Sequence, residues 1–478
     1  MKRENRLLIV VFISGFVLMV FEIVGSRIIS PYLGSSTVTW TAIIGSILTF
    51  MSLGYWYGGR KADENESFEY LQNVLLTIGV LLLGMNLTKG IVLEFISNYS
   101  NNLIFKSLVS SILLFGGPSF LLAFVSPYAI RLCLRSADES GRVSGKIYAI
   151  STLGSILGTF MSGFFLIAWI GTNNLVWLLA ILISIAAFMV KPKVPLTLLI
   201  VFAILLVGNI YRASAANEFI DIDTNYNRVY IYDQVYDGEE VRDLYLNGDL
   251  HSRINRNDPT ILAHGYGYYF DLFDFYRPNS KDVCMLGGGA FAYPQHFLSI
   301  FPDKRIDVVE IDDGLTAIAE EYFMLQQNDR LKIFNEDART FVNDCSESYE
   351  VVLYDIANTR RSVPFYMTTK EAFSSISDML VEDGIMISNF IASTKGGHGK
   401  YLSSVTKTLI EIFKDVRVYQ TSDFPVGNFI VVAGKMNLPE DPPFHPKVDL
   451  SERIEPQKWN GLTLRDNFAP VNYMMAYE

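Results

Sequence analysis

The chain has 478 residues, half of them hydrophobic, and a mean hydropathy of +0.25. It is too apolar for a soluble protein and too long for one domain of ordinary size, so two parts are expected. Up to Arg212 it carries 15 Lys and Arg against 9 Asp and Glu, whereas beyond Arg212 it carries 24 against 41. Because nucleic-acid binding needs basic side chains against phosphates, the acidic second part disfavours a nucleic-acid partner.

Apolar stretches of membrane-spanning length predict about seven transmembrane helices in the first part. The stretches are residues 7–24, 38–57, 71–87, 103–123, 147–170, 175–190 and 195–210. The first stretch lacks the cleavage pattern of a signal peptide and is therefore expected to stay as an anchor. Residues 1–212 are thus predicted to form a helical domain in a lipid bilayer.

Lys and Arg near the ends of these stretches fall in alternate connections, which by the positive-inside rule places the N-terminus in the cytoplasm. An odd number of spans then places the second part outside the cytoplasm. A cofactor derived from ATP is expected in the cytosol, so these two expectations conflict.

Two patterns inside the apolar stretches concern helix packing. Gly154 and Gly158 have the spacing of a close helix–helix contact. Two short sequences also occur twice, at residues 30–32 and 126–128 and at residues 45–48 and 154–157. Repeats of three helices would be inverted relative to each other, which is an arrangement found in many transporters.

The second part is expected to begin with a polar linker, residues 213–226. Three short alternating runs, at residues 228–232, 241–246 and 250–254, then predict a small antiparallel sheet within residues 227–256.

From residue 282 apolar strand-like runs alternate with helical patterns, which predicts a mostly parallel, doubly wound sheet. The predicted strands are residues 282–286, 305–310, 331–334, 351–355, 385–390, 415–420 and 429–433. The predicted fold class is therefore an α-helical transmembrane bundle followed by an α/β Rossmann-like core, residues 257–436, with a C-terminal tail, residues 437–478.

A glycine turn and an acid follow the first two strands of this core. Gly287, Gly288 and Gly289 come directly after the first strand, where glycine lets the backbone turn tightly and approach a ligand. Glu310 lies 23 residues after Gly287, at the end of the next strand. A carboxylate there can accept hydrogen bonds from both hydroxyls of a ribose.

Two further acids follow the next two strands. Asp337 comes after the third, where a carboxylate can meet an adenine amino group, and Asp355 ends the fourth. Because parallel strands end at one edge of a sheet, the glycine turn and the three acids are expected to form one nucleoside site. The third glycine of the dinucleotide fingerprint is missing, with Phe291 and Tyr293 in that turn, which disfavours NAD.

The second part resembles the spermidine synthase (aminopropyltransferase) family, a branch of the class I S-adenosylmethionine-dependent methyltransferase fold. The resemblance lies in YLNGDLHSRI (245–254), LGGGAF (286–291), VVEID (308–312), NEDARTF (335–341) and VVLYDIANTRRSVPFYMTTKEAF (351–373). The first part is similar to a subgroup in which such a domain is fused to membrane helices. That similarity lies in residues 21–40, 54–63 and 146–172.

The resemblance implies a role for each matching residue. Gly287 to Gly289 would line the nucleoside, Glu310 would bind its ribose, and Asp337 would bind its adenine. Asp355 would face the reacting centre as the catalytic residue, and His264 would border the thioether. The implied cofactor is decarboxylated S-adenosylmethionine or S-adenosylmethionine, with no metal, and the implied acceptor is a polyamine or another amine; a homo-oligomer stays open.

Two acids of the family pattern are replaced in this chain. Ala290 stands where an acid normally follows the glycines and helps to hold the amino end of decarboxylated S-adenosylmethionine. Asn358 stands at the second acid of the D-x-x-D motif, which helps to deprotonate and orient the attacking amine.

Three functions stay open on these grounds. The first is aminopropyl transfer to an amine, the second is methyl transfer, which needs fewer acids, and the third is a catalytically impaired, polyamine-binding or transport-linked membrane protein. Intact S-adenosylmethionine usually needs a basic partner for its carboxylate, whereas the decarboxylated molecule needs none. The basic candidates near the predicted site are Arg339, Arg360 and Arg361.

Overall fold

The computed structural model describes residues 3–34, 36–99, 102–134, 136–192, 196–215, 219–356, 363–421, 424, 426–442, 447–454 and 460–476. The chain divides into two compact units, Met1–Glu218 and Phe219–Glu478.

The first unit is a bundle of helices. They are α1 (Arg3–Leu33), α2 (Thr37–Glu64), α3 (Phe68–Tyr99), α4 (Leu103–Cys133), α5 (Ser140–Met161), α6 (Ile167–Ile170), α7 (Thr172–Val190) and α8 (Leu196–Ala215). A π-helical turn, Ser162–Leu166, joins α5 to α6. Within the described residues six helical segments are long and apolar enough to cross a membrane: α1 to α4, Ala137–Leu166 and α7. The seventh predicted span falls on α8, in which Ile200–Tyr211 is a described apolar stretch.

Glycine spacing brings α5 into backbone contact with α1. Gly154 and Gly158 lie against the main-chain carbonyl groups of Phe12 and Phe16, so closely that a Cβ at either glycine would overlap the carbonyl oxygen. The two helices run in the same direction, because both sets of residue numbers increase together. The close contact predicted from the spacing of these glycines is therefore present.

Helices α2 and α4 form a second pair of the same kind. Gly54 and Gly58 lie against the carbonyl groups of Phe120 and Phe124, again in parallel. The short sequence of residues 30–32 in α1 recurs in α4, and that of residues 45–48 in α2 recurs in α5. Thus α1, the first helix of one repeat, packs on α5, the second helix of the other, and α4 packs on α2 in the same way. This exchange is expected for two repeats related by a two-fold axis.

Polar contacts show which helix ends lie together. Ion pairs join the start of α1 to the start of α5, the end of α2 to the end of α4, and the start of α3 to the end of α7. They are Glu4–Lys146 (2.8 Å), Asp63–Arg131 (3.4 Å) and Glu69–Lys191 (2.5 Å). Arg3 lies over the ring of Phe68, and Tyr128 accepts a hydrogen bond from the backbone of Ser67, so all six ends share one basic end of the bundle.

Helix α8 runs alongside α3 in the same direction. Phe202 packs beside Gly79, and Asn209 accepts a hydrogen bond from Asn86 at 2.7 Å. Because α3 starts at the basic end of the bundle, α8 ends at the opposite end.

The second unit begins with a four-stranded antiparallel sheet in the order β1-β2-β3-β4. Its strands are β1 (Ile220–Asp223), β2 (Arg228–Tyr236), β3 (Glu239–Leu246) and β4 (Asp249–Asn255). The last three correspond to the predicted runs. The segment expected to be a linker, residues 213–226, contains the end of α8 and all of β1 instead.

The main sheet has eight strands in the order β12-β10-β11-β9-β8-β5-β6-β7. Its strands are β5 (Asp282–Leu286), β6 (Arg305–Val309), β7 (Leu331–Phe334), β8 (Tyr349–Tyr354), β9 (Leu380–Ala392), β10 (Asp415–Gln420), β11 (Gly427–Gly434) and β12 (Arg453–Ile454). Strands β5 to β9 are parallel, and β10, β11 and β12 add an antiparallel edge. The predicted fold class is confirmed.

Helices and apolar side chains cover both faces of this sheet. The helices are α9 (Leu272–Tyr276), α10 (Ala292–Ile300), α11 (Asp313–Tyr322), α12 (Ala338–Asp344), α13 (Lys370–Asp378), α14 (Gly396–Ile410) and α15 (Val471–Ala476). One buried cluster includes Val283 and Val308, and the other includes Cys284 and Tyr354. Alternate residues of β5 thus enter opposite cores, as a strand buried on both faces requires.

The chain reverses its direction of travel across the sheet between β5 and β8. It proceeds from β5 through β6 to β7 on one side, then returns to place β8 and β9 on the other. Open α/β sheets bind ligands beyond the carboxyl ends of the strands at such a point. A ligand site is therefore expected at the loops that follow β5 and β8.

Candidate functional site

A cavity of about 430 Å³ lies beyond the carboxyl ends of β5, β6 and β8. All seven predicted site residues line it: His264, Gly287, Gly288, Gly289, Glu310, Asp337 and Asp355. The structure thus brings together residues that the sequence spreads over 92 positions. Their individual roles stay predictions.

The glycine turn adopts backbone conformations that favour glycine. Gly287 has φ +96° and Gly289 has φ +54°, both in the range that side chains disfavour. A Cβ at Gly287 would also collide with the main-chain carbonyl of Asp355, because β5 and β8 are neighbours. Gly287 therefore lets the turn after β5 lie against the end of β8.

Glu310 holds this turn in place. Its Oε2 accepts hydrogen bonds from the amides of Gly288 (2.9 Å) and Gly289 (3.0 Å), and its Oε1 accepts one from Asp312 (3.0 Å). Burial raises the pKa of Glu310, while the three donated hydrogen bonds act in the opposite direction. The carboxylate therefore anchors the glycine turn: the two glycine amides occupy both acceptor sites of Oε2, and Oε1 keeps one acceptor site for a ribose hydroxyl.

Asp337 lies at the start of α12. Its Oδ1 accepts hydrogen bonds from the amides of Arg339 (2.8 Å) and Thr340 (3.2 Å), as a helix-capping residue does. Its Oδ2 accepts a hydrogen bond from the hydroxyl of Tyr366 at 3.2 Å. Burial, followed by the charge of Asp337, raises the pKa of Tyr366 to about 12, so the phenol remains a donor at neutral pH.

Asp355 lies at the end of β8 with one neutral donor on each carboxylate oxygen. Tyr266 donates to Oδ2 at 3.1 Å, and the amide nitrogen of Asn389 donates to Oδ1 at 2.9 Å. Burial raises the pKa of Asp355, and these two hydrogen bonds oppose that rise. A carboxylate in this setting is a stronger base than an exposed one.

His264 is neutral at physiological pH. Burial, helped by the nearby charge of Arg253, lowers its pKa to about 4, although Asp243 acts in the opposite direction. Its ring lies 5.8 Å from that of Tyr266, measured between centroids. His264 therefore adds no positive charge to the cavity.

Several lining residues were not predicted from the sequence. They are Tyr266, Asn389 and Asn428 near Asp355, Tyr366 beside Asp337, and Ser252, whose hydroxyl accepts a hydrogen bond from the amide of Ala290 at 3.1 Å. Tyr266 lies two residues after His264, so its place near the site could have been predicted. Asn389 and Asn428 carry no local motif that would have done so.

The basic candidates differ in their placement. Arg339 turns to Asp466 at 2.7 Å and to the carbonyl of Tyr366 at 2.8 Å, and it does not line the cavity. Arg360 and Arg361, like Asn358, lie outside the described residues.

The cavity is acidic as far as the structure describes it. Its described lining has four carboxylates, Asp249, Glu310, Asp337 and Asp355, and contains neither Lys nor Arg. Among the residues described, no group of three or more His, Cys, Asp or Glu could hold a metal ion.

Comparison with known proteins identifies the second unit. The protein-family model of the spermine/spermidine synthase domain matches residues 271–428. A polyamine aminopropyltransferase of Vibrio vulnificus is 23% identical over 167 residues, which are 34% of this chain and 54% of that protein. One from Streptococcus uberis is 34% identical over 120 residues, which are 23% of this chain and 40% of that protein.

A polyamine aminopropyltransferase of Clostridium beijerinckii is 24% identical over 202 residues, which are 40% of this chain and 66% of that protein. A solved structure of a probable spermidine synthase from Corynebacterium glutamicum aligns with 45% of this chain and 80% of its own, at 21% identity and a TM-score of 0.42. The chain spans between 40% and 66% of the length of these three curated relatives. The C-terminal part of the chain carries a spermine/spermidine synthase domain, as predicted for that part, and the membrane-fused subgroup stays a prediction.

Proposed function

We propose that this protein is a membrane-anchored transferase that binds decarboxylated S-adenosylmethionine and passes its aminopropyl group to a polyamine or another amine. The observation that carries the proposal is the acidic cavity, whose described lining has four carboxylates and neither Lys nor Arg. Both reactants are cations, since the donor has a sulfonium and an ammonium group and the acceptor is an amine. Carboxylates in a partly dry cavity attract such ligands.

The nucleoside would lie across the glycine turn. Glu310 would accept a ribose hydroxyl on the acceptor site of Oε1 that the Asp312 amide leaves free, and Asp337, whose Oδ2 is held by Tyr366, would face the adenine. The bare backbone of Gly288 and Gly289 leaves room for the ligand beside β5. His264, neutral at physiological pH, would border the sulfur without repelling its charge.

Asp355 would act on the acceptor. Aminopropyl transfer is an in-line attack of a free amine on the methylene next to the sulfonium, so the ammonium must first lose a proton and be aligned. Unlike Glu310 and Asp337, Asp355 neither anchors the glycine turn nor caps a helix, and its raised pKa suits a proton acceptor.

The same lining separates the two candidate cofactors. Intact S-adenosylmethionine carries a carboxylate, which the four acids would repel, since the described lining residues include neither Lys nor Arg. Arg339 is engaged by Asp466 and the Tyr366 carbonyl. Aminopropyl transfer is therefore favoured over methyl transfer.

The membrane assignment rests on the first unit. Six apolar helical segments and α8 give seven proposed spans, and α8 ends at the end of the bundle opposite the basic one. With the basic end in the cytoplasm, the residues that follow α8 emerge on the other side. A C-terminal alkaline phosphatase fusion should be active and a C-terminal green fluorescent protein fusion dark; the reverse result would place the catalytic unit beside the cytosolic cofactor supply.

A transport-linked role is a second candidate for the first unit. The exchange of helix partners between the two repeats favours it, because inverted repeats are common in transporters. Uptake of labelled spermidine into liposomes that contain the full chain would support this role, and equal uptake into empty liposomes would reject it.

The test of the proposed function uses the full chain in detergent. The protein is incubated with decarboxylated S-adenosylmethionine or S-adenosylmethionine and a mixture of amines, and the products are identified by mass spectrometry. Methylthioadenosine together with an amine that has gained an aminopropyl group is expected. Release of S-adenosylhomocysteine would establish methyl transfer instead. The absence of both products would overturn the proposal.

A further inference from the structure

A chain of neutral side chains fixes the carboxylate of Asp355. A carboxylate can only accept hydrogen bonds, so Asn389 must present its NH₂ group to Oδ1. The amide oxygen of Asn389 then faces Asn428, which donates to it at 2.8 Å. The orientation of both amides is therefore set by the charge of Asp355, and the phenol of Tyr266 completes the arrangement on Oδ2.

These residues come from three separate elements. Tyr266 lies in the 3-10 turn Gly265–Tyr269, Asn389 is in β9, and Asn428 is near the start of β11. Strands β9 and β11 are antiparallel neighbours, and Asn389 is only 3% exposed. All three residues line the cavity with Asp355, and two of them, Tyr266 and Asn389, donate hydrogen bonds to its carboxylate.

We propose that Tyr266 and the Asn389–Asn428 pair are positioning residues that keep Asp355 ionised and aimed at the attacking amine. The inference rests on the proposed function. Their donors stabilise the carboxylate without cancelling its charge, as a Lys or Arg would, so Asp355 still attracts an ammonium ion. Each oxygen retains acceptor capacity after its one hydrogen bond.

The chemical step balances with these groups alone. The acceptor ammonium transfers one proton to the carboxylate of Asp355, which leaves a free amine and a neutral carboxyl group. The amine lone pair forms a bond to the methylene carbon, the carbon–sulfur bond breaks, and its electron pair stays on sulfur. The products are methylthioadenosine and a secondary ammonium ion, and Asp355 then releases its proton to solvent.

Among the residues that the structure describes, few other charged groups lie near Asp355. From the 3-10 turn it faces Tyr266 and, nearby, His264, which is neutral above pH 5 because its pKa is about 4. From β9 and β11 it faces the two asparagines, and from β5 the glycine turn. Glu310 and Asp337 lie in the same cavity, while burial raises the pKa of Asp355 and its hydrogen bonds with Asn389 and Tyr266 lower it.

The experiment compares Tyr266→Phe with Tyr366→Phe in the full chain. Both changes remove a phenol that donates to a carboxylate of the cavity, at Asp355 and at Asp337 respectively. Loss of the Tyr266 hydrogen bond should raise the pKa of Asp355, so the acid limb of the rate profile for methylthioadenosine release should move up by about one pH unit.

The control and a second variant sharpen the result. Tyr366→Phe should weaken nucleoside affinity and leave the acid limb where it is, whereas Asn389→Ala should move the limb in the same direction as Tyr266→Phe. Superimposable profiles, or a loss by the same factor at every pH with an unmoved limb, would overturn the inference, because a purely structural role gives such results.

A binding measurement separates this inference from the proposed function. Calorimetry of 1,3-diaminopropane with the methylthioadenosine-loaded protein, from pH 5 to pH 8, should show weaker binding at low pH, with a higher midpoint for Tyr266→Phe. If the unmodified protein releases no methylthioadenosine, the proposed function fails while this midpoint still tests Tyr266. Equal midpoints, or no diamine binding at any pH, would overturn the inference.

Discussion

Glycine has opposite uses in the two units of this molecule. In the first unit, Gly154 and Gly54 lie within helices, where the missing Cβ lets a neighbouring helix approach. In the second unit, Gly287 and Gly289 have positive φ, and the amides of Gly288 and Gly289 point at Glu310. Glycine spacing alone therefore indicates packing, whereas a glycine turn after a buried strand, with an acid at the end of the next strand, indicates a ligand site.

The largest effect is expected from Asp355→Asn. The change keeps the size of the side chain and removes the proton acceptor, so the rate of methylthioadenosine release should fall by about 100-fold or more. Affinity for methylthioadenosine should change little. Asp313→Asn on the exposed start of α11 is the matched control, and a rate for Asp355→Asn within threefold of that control would contradict the assignment of the reaction to this unit.

Next in size is Glu310→Ala. It removes the acceptor for three backbone amides and for the ribose, so methylthioadenosine affinity measured by calorimetry should fall by about 100-fold. Glu320→Ala, at an exposed carboxylate on α11, should bind as the unmodified protein does. Equal methylthioadenosine affinity of the two variants would show that the glycine turn held by Glu310 is not a ligand site, and the contrast with the packing glycines would then fail.

In the first unit, Gly154→Leu should destabilise the bundle by about 1–3 kcal/mol, because the new side chain overlaps the carbonyl of Phe12. Gly45→Leu, where nothing lies within 4 Å of the added Cβ, should be neutral. Thermal unfolding in detergent measures both. A similar melting temperature for the two variants would show that α1 and α5 are not in backbone contact.

The smallest effect concerns pH and His296. Burial lowers the pKa of His296, but its hydrogen bond and ion pair with Asp271 and its contact with the Thr260 carbonyl outweigh this and raise it. A raised folded-state pKa stabilises the protein fully below the unfolded value of about 6.5, and this contribution is lost as pH rises through the folded value. The melting temperature should therefore fall slightly above pH 6.5, and His296→Gln should abolish that slope; an unchanged slope would rule out His296 as its source.

The sequence predicted the elements whose patterns are local. Strands β5 to β8 alternate with helices, and the glycine turn or an acid follows each of them within three residues, so the meeting of these residues at one edge of the sheet could be predicted. Strand β1 was missed because IDID, with two acids in four residues, resembles a polar linker. It is recognisable as a strand only through its pairing with β2.

Contacts between distant residues could not be predicted in the same way. Tyr266 and Asn389 reach Asp355 across sequence separations of 89 and 34 residues. Their meeting depends on how β9, β11 and the 3-10 turn pack, which no periodicity reveals.

The central claim is that the cavity accepts a nucleoside cofactor without a carboxylate. Calorimetry of the full chain with decarboxylated S-adenosylmethionine and with S-adenosylmethionine, under identical conditions, tests it most directly. The acidic lining predicts tighter binding of the decarboxylated molecule by about tenfold or more. Equal or tighter binding of intact S-adenosylmethionine would contradict the account.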